Sequence, residues 1–98
     1  MEKHPDDLLT GDSDPFKGDP NFMASLARGL EVIQAFTPQR PVLSISQISQ
    51  KTGIPRAAVR RCLYTLGKLG FVYAEDGKNF QLRPRILALG HAWLASTP

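Results

Sequence analysis

The residues best suited to chemistry are crowded into one short stretch, GIPRAAVRRC, running from Gly53 to Cys62. Arg56, Arg60 and Arg61 stand there with no acid among them. Like charges this close repel, so their balance must come from elsewhere. A guanidinium is always charged and carries a planar fork of donors, which suits it to paired oxygen or nitrogen acceptors on an anion. The surrounding charge follows the same trend. Residues 22–98 hold Glu31, Glu75 and Asp76 against ten lysines and arginines, a net of +7, whereas residues 1–21 hold six acids against Lys3 and Lys17, a net of −4. From Val32 to Ala74 there is no acid and there are six basic residues. A field of one sign is the footprint of a polyanion partner.

Other chemistries find little support. His4 and His91 are far apart in sequence, and the single cysteine, Cys62, excludes a disulfide framework and a cysteine-based zinc site. No Ser/His/Asp grouping and no glycine-rich phosphate loop stands out, so neither an enzyme nor a cofactor is expected. Trp93 reads as a core or interface residue. No apolar run approaches a membrane span, and the acidic start lacks a signal-peptide layout. The expectation is a cytoplasmic protein.

The elements that position the arginines follow from local signals. Residues 1–21, rich in Asp, Pro and Gly, read as a disordered acidic leader, with Asp19-Pro20-Asn21 turning into the first helix. In FMASLARGLEVIQAF, Phe22, Leu26, Leu30 and Ile33 form one apolar stripe at helical spacing. Val32 and Ala35 lie off it and form a second face. Pro38 and Pro41 end that helix. Ser44 and Gln47 make a capping box opening a helix from about Ile45 to Lys51, and Gly53 stops it with a left-handed residue. Pro55 sits in the first turn of the next helix, which runs to about Lys68, and Gly70 closes it. Phe71-Val72-Tyr73 and Asn79-Phe80-Gln81-Leu82 then read as a two-stranded hairpin around Gly77. Pro84 starts a last helix rich in large apolar residues.

Two short helices joined by a glycine turn and followed by a hairpin are the parts of a winged helix-turn-helix: a mainly α fold with a small β-hairpin. The helix-turn-helix spans about 45–66, the wing about 71–83 and a linker helix 84–98, with the DNA-binding domain as a whole at 22–83. Ile48, Ile54, Val59 and Cys62 supply the apolar facing positions, with Ser49 and Thr52 as small but rather polar ones. At about 100° per residue, Leu63 and Leu66 share the inward face with Val59. Ala57, Arg60, Arg61, Tyr64 and Lys68 gather opposite, and Arg56 stands at the helix start. A basic helix with a small residue for close approach fits the major groove of double-stranded DNA, where arginine can pair with guanine or phosphate. Ser44 and Ser46 could donate to a phosphate at a helix start. The same basic face could also grip an acidic protein or rest on an anionic membrane surface.

Three segments carry a family resemblance: SLARGLEVIQAF, LSISQISQKTGIPRAAVRRCLYTLGKLGFV and FQLRPRILALGHAWLAS. From Phe22 to Pro98, about four-fifths of the chain, the sequence resembles the N-terminal domain of the IclR-type transcriptional regulators. It is most similar to the branch controlling the β-ketoadipate pathway, with its regulators of protocatechuate and p-hydroxybenzoate breakdown. The resemblance implies a homodimer on operator DNA, with Arg28, Arg56, Arg60 and Arg61 facing it; Lys78, in the wing turn, joins the expected DNA-binding set. Many members have threonine where this chain has Ala58, which removes a hydroxyl contact. The resemblance also implies a larger C-terminal domain, absent here, that binds a small aromatic acid or β-ketoadipate as effector, so a fragment of such a regulator is expected. Within residues 22–98 no concave apolar pocket is expected, because the apolar residues are taken up by helices and hairpin.

Overall fold

The computed structural model describes residues 15–96. The leader's first fourteen residues, His4 among them, and the last two residues of the chain lie outside the described residues. Residues 15–21 form turns in which Phe16 stacks on Phe22, centroids 4.3 Å apart. The Asp19 carboxylate accepts from the Asn21 backbone N–H at 2.9 Å and closes that turn. Helix α1, Ala24–Ala35, begins after Met23 without a side-chain cap, two residues later than the Asp-Pro-Asn signal suggests.

Helix α2, Ile45–Thr52, opens on the expected capping box. Ser44 Oγ accepts from Gln47 N at 3.2 Å, and Gln47 Oε1 accepts from Ser44 N at 2.8 Å. Two orphan donors of the first turn are thereby satisfied. Gly53 ends the helix at φ 79°, ψ 0°, a conformation that costs any residue with a Cβ. Helix α3, Arg56–Lys68, follows with Pro55 as its N-cap, and Gly70 reverses the chain at φ 85°. Strands β2, Val72–Tyr73, and β3, Asn79–Leu82, pair antiparallel with Val72 opposite Leu82. The described residues end in a 3-10 turn, Pro84–Leu87, and helix α4, Ala88–Ser96, so the last α-helix starts four residues later than Pro84 suggests.

The hairpin is larger than the sequence suggests. Leu43–Ser44 forms a further strand, β1, which pairs with β3 through Leu43 opposite Phe80 and Ser44 opposite Asn79. The antiparallel sheet therefore has three strands in the order β1-β3-β2. Two residues directly before a capping box carry no strand periodicity of their own; only β3 reveals them. The pairing fixes the wing to the start of α2.

One core joins the elements from α1 to β3. Val32, Leu43, Ile48, Ile54, Val59 and Leu63 are essentially inaccessible, and Ala35, Phe36, Leu66 and Val72 close around them. Burying each larger side chain contributes about 1.5–3 kcal/mol. Helix α1 is seated the other way round from the stripe reading. Val32 and Ala35 face the core, whereas Leu26 and Leu30 of the stripe are 57% and 47% exposed. The core demands small or β-branched residues where α1 crosses the other helices closely, and Val32 and Ala35 are the ones that fit.

Candidate nucleic-acid interface

The helix-turn-helix is held by polar side chains as well as apolar ones. Ser49 Oγ donates to the Ile54 carbonyl at 2.6 Å, and Thr52 Oγ1 donates to the Ile48 carbonyl at 2.8 Å while accepting from Ile54 N at 3.2 Å. The tight turn around Gly53 leaves the backbone N–H and carbonyl of Ile54 without helical partners, and these two hydroxyls satisfy them. Their polarity, odd for a packing position, is what the turn needs. Lys51 Nζ donates to the Ala35 carbonyl at 2.6 Å, a cation on the carbonyl end of α1 that ties the first two helices together.

On this frame α3 buries Val59, Leu63 and Leu66. Arg56, Ala57, Arg60, Arg61, Tyr64 and Lys68 are all exposed. Lys68 Nζ lies 5.4 Å from the Tyr64 ring centroid, so the two act as one amphipathic unit at the helix end. Ser44 is half-buried at the start of α2, where its oxygen is engaged in the capping box. Lys78 is exposed in the wing turn. There Asp76 organises the loop: Oδ1 accepts from the backbone of Lys78 and Asn79 at 2.9 and 2.8 Å, and Oδ2 from the Asn79 side chain at 2.7 Å. These hydrogen bonds hold its carboxyl down at about 2, and it is ionised whenever the protein is folded near neutrality.

Arg28 is placed differently from the other expected residues. It is half-buried and lines a groove between α1 and α3 together with Arg61, and its Nε is buried with no hydrogen-bond partner among the described residues. The groove holds about 450 Å³ and is otherwise largely apolar, with Met23, Leu26 and Leu30 on one side and Cys62, Leu66 and Leu69 on the other. The expectation that residues 22–98 form no concave apolar pocket is therefore corrected. The groove exists because the Leu26–Leu30 stripe of α1 points away from the core. Burial pushes the Cys62 thiol up, and the guanidiniums of Arg28 and Arg61 oppose that only in part.

Two arginines escaped the sequence reading. Arg83 lies 5.8 Å from the Tyr73 ring and Arg85 6.0 Å from the Phe71 ring, both at the base of the wing. Their signal was the pair of basic residues flanking Pro84, directly after β3. A Cβ on Gly70 would meet Arg85 Nε at 3.1 Å, so the glycine also makes room for this packing.

Residues 25–76 match the IclR helix-turn-helix domain. The chain is 61% identical over 83 residues to the Pca regulon regulatory protein of Pseudomonas putida, covering 85% of this chain and 28% of that protein. The chain belongs to the IclR family. The matched span contains both helices of the helix-turn-helix and the first strand of the wing, so the part in hand is that family's DNA-binding unit. The chain is also 34% identical to the p-hydroxybenzoate hydroxylase transcriptional activator of Acinetobacter baylyi, over 98% of this chain and 35% of that one. Among solved structures, an IclR family transcriptional regulator from Brucella abortus superposes with a TM-score of 0.79 at 36% identity, covering 92% of this chain and 35% of that one. The chain thus spans about a third or less of the length of these relatives. Among the described residues no helix is long and apolar enough to cross a membrane.

Proposed function

We propose that this chain is the operator-reading part of a cytoplasmic, non-enzymatic regulator of genes for aromatic-acid breakdown by way of β-ketoadipate. One observation carries the reading: α3 buries one face completely and presents an opposite face of Arg56, Arg60, Arg61 and Lys68 without an acid. Helix α3 lies in the major groove of double-stranded DNA. Ala57 allows close approach, and Arg56, Arg60 and Arg61 reach base edges or phosphates. Tyr64, Lys68, Lys78 and the Ser44 hydroxyl meet the backbone, which positions the helix without reading sequence. Two copies read two half-sites, and an aromatic acid or β-ketoadipate acts on residues beyond this chain.

Titration with random-sequence duplex DNA at several salt concentrations tests the reading. Neutralising several phosphates makes the logarithm of affinity fall linearly with the logarithm of salt, by roughly 0.9 per phosphate. No binding even at low salt would transfer the basic face to an acidic protein partner.

A further inference from the structure

We propose that the acidic segment of residues 1–14 lies across the exposed basic face of its own α3 in the absence of DNA and must leave it before DNA binds. This competition regulates the DNA-binding face proposed above and rests on that reading.

Unbalanced charge is concentrated on α3. Arg56, Arg60, Arg61 and Lys68 are exposed on one helix of 13 residues. Lys68 lies over the Tyr64 ring, and no acid of the described residues pairs with the three arginines. Residues 15–96 contain only Asp19, Glu31, Glu75 and Asp76 as acids, and Asp19 and Asp76 are engaged in their own turns. Several other cations are already committed. Lys51 holds the Ala35 carbonyl, and Arg83 and Arg85 lie over the Tyr73 and Phe71 rings. The outer face of α3 is therefore where an acidic segment gains most.

Residues 1–14 match that face in charge, length and reach. They hold Glu2, Asp6, Asp7, Asp12 and Asp14 against Lys3, five acids less one base, or −4, opposite the four cations of α3. Fully extended, Asp6 to Asp12 spans about 20 Å at ~3.3 Å per residue. Arg56 to Lys68 spans about 18 Å along the helix at ~1.5 Å per residue. Phe16 stacks on Phe22 directly before α1, and α1 packs on α3. From Pro15, Asp6 reaches up to about 30 Å at the same extension, against 40 Å for the longest axis of the molecule. Single exposed ion pairs are weak. Tethering raises the effective concentration of the segment to the order of 1 mM, so several weak pairs together hold it.

A face open for only a fraction of the time binds with its affinity reduced by that fraction, so docking in four-fifths of molecules weakens DNA binding about fivefold. An operator bound far below the protein's own concentration stays filled, while weak contacts with other polyanions are shed.

The test combines Glu2→Gln, Asp6→Asn, Asp7→Asn, Asp12→Asn and Asp14→Asn in the full chain, which leaves every core residue unchanged. Amide spectra of this variant and wild type are compared without DNA, and both are titrated with random duplex at about 50 and about 300 mM salt. The expected shift differences concentrate at Arg56, Ala57, Arg60, Arg61 and Tyr64. Random-duplex affinity should be about fivefold higher for the variant at low salt, with the gain falling below about twofold at high salt. A free peptide of residues 1–14 at about 2 mM, close to the tethered concentration, should weaken DNA binding by the variant again. A peptide without effect would mean that the segment only repels DNA from a distance, and would overturn the proposal. So would shift differences confined to residues 15–22, or differences that grow with protein concentration and place the segment on another copy. Shifts as expected with no DNA binding by either protein sink the functional reading alone. DNA binding with α3 amides unshifted sinks the competition alone.

Discussion

Val59 and Arg60 are neighbours on α3, and truncating them should have opposite consequences. Val59 is completely buried, so Val59→Ala removes two methyl groups from the core. At about 0.8 kcal/mol per buried methylene the transfer loss is about 1.6 kcal/mol. An unrelaxed cavity of roughly 50 Å³ adds about 1 kcal/mol at ~24 cal/mol per Å³. Alanine's better helix propensity returns roughly 0.5 kcal/mol, leaving about 2 kcal/mol. For a domain of this size each kcal/mol lowers Tm by about 4–8 °C, so a drop of about 10 °C is expected. Arg60 is exposed, and Arg60→Ala should change stability by less than about 0.5 kcal/mol. On DNA the order reverses. Loss of a bidentate base contact costs about 1–3 kcal/mol, roughly 5- to 150-fold in Kd, while Val59→Ala, still folded at 10 °C, should bind nearly as wild type. Thermal melts by circular dichroism and fluorescence anisotropy with operator and random duplexes measure both. Equal weakening on the two duplexes would make Arg60 a phosphate contact, with the salt slope reduced by about 1. Melting of Arg60→Ala like Val59→Ala, with unchanged DNA binding, would refute the assigned faces of α3.

Gly53→Ala forces a Cβ into the left-handed region at φ 79° and should destabilise the domain by about 1–2 kcal/mol in urea titration, with Gly53→Asn losing less. Ser44→Ala removes the capping-box acceptor of Gln47 N and should cost about 1 kcal/mol, restored in large part by Ser44→Thr. Asp76 has a folded-state pKa of about 2, below the ordinary carboxylate value of about 3.9, so its contribution is present in full above about pH 4 and is lost as pH falls through about 2. The stability gap between wild type and Asp76→Asn should therefore shrink from pH 5 to pH 2; a gap independent of pH would mean the wing turn does not depend on that charge.

Much of the site was legible because its signals are local. The capping box of Ser44 and Gln47, the stop at Gly53 and the basic arc of α3 each lie within one or two turns of chain, where helical periodicity and backbone conformation suffice. The seating of α1 was not legible in this way. The helix carries two apolar faces, and its own periodicity favours the longer one through Leu26 and Leu30. The choice of Val32 and Ala35 is made by α2 and α3, whose close packing admits only the smaller side chains. For the same reason β1 is invisible until Phe80 and Asn79 pair with it across more than thirty residues. The hydroxyls of Ser49 and Thr52 look like flaws in an apolar pattern until the buried carbonyls and N–H of the turn are in place to receive them. The sequence by itself determined the helices, their stops and the charge of the exposed face of α3. Which side of α1 is core, the third strand, and the groove that buries the Arg28 Nε were decided only by tertiary structure, because each depends on groups brought together from distant parts of the chain.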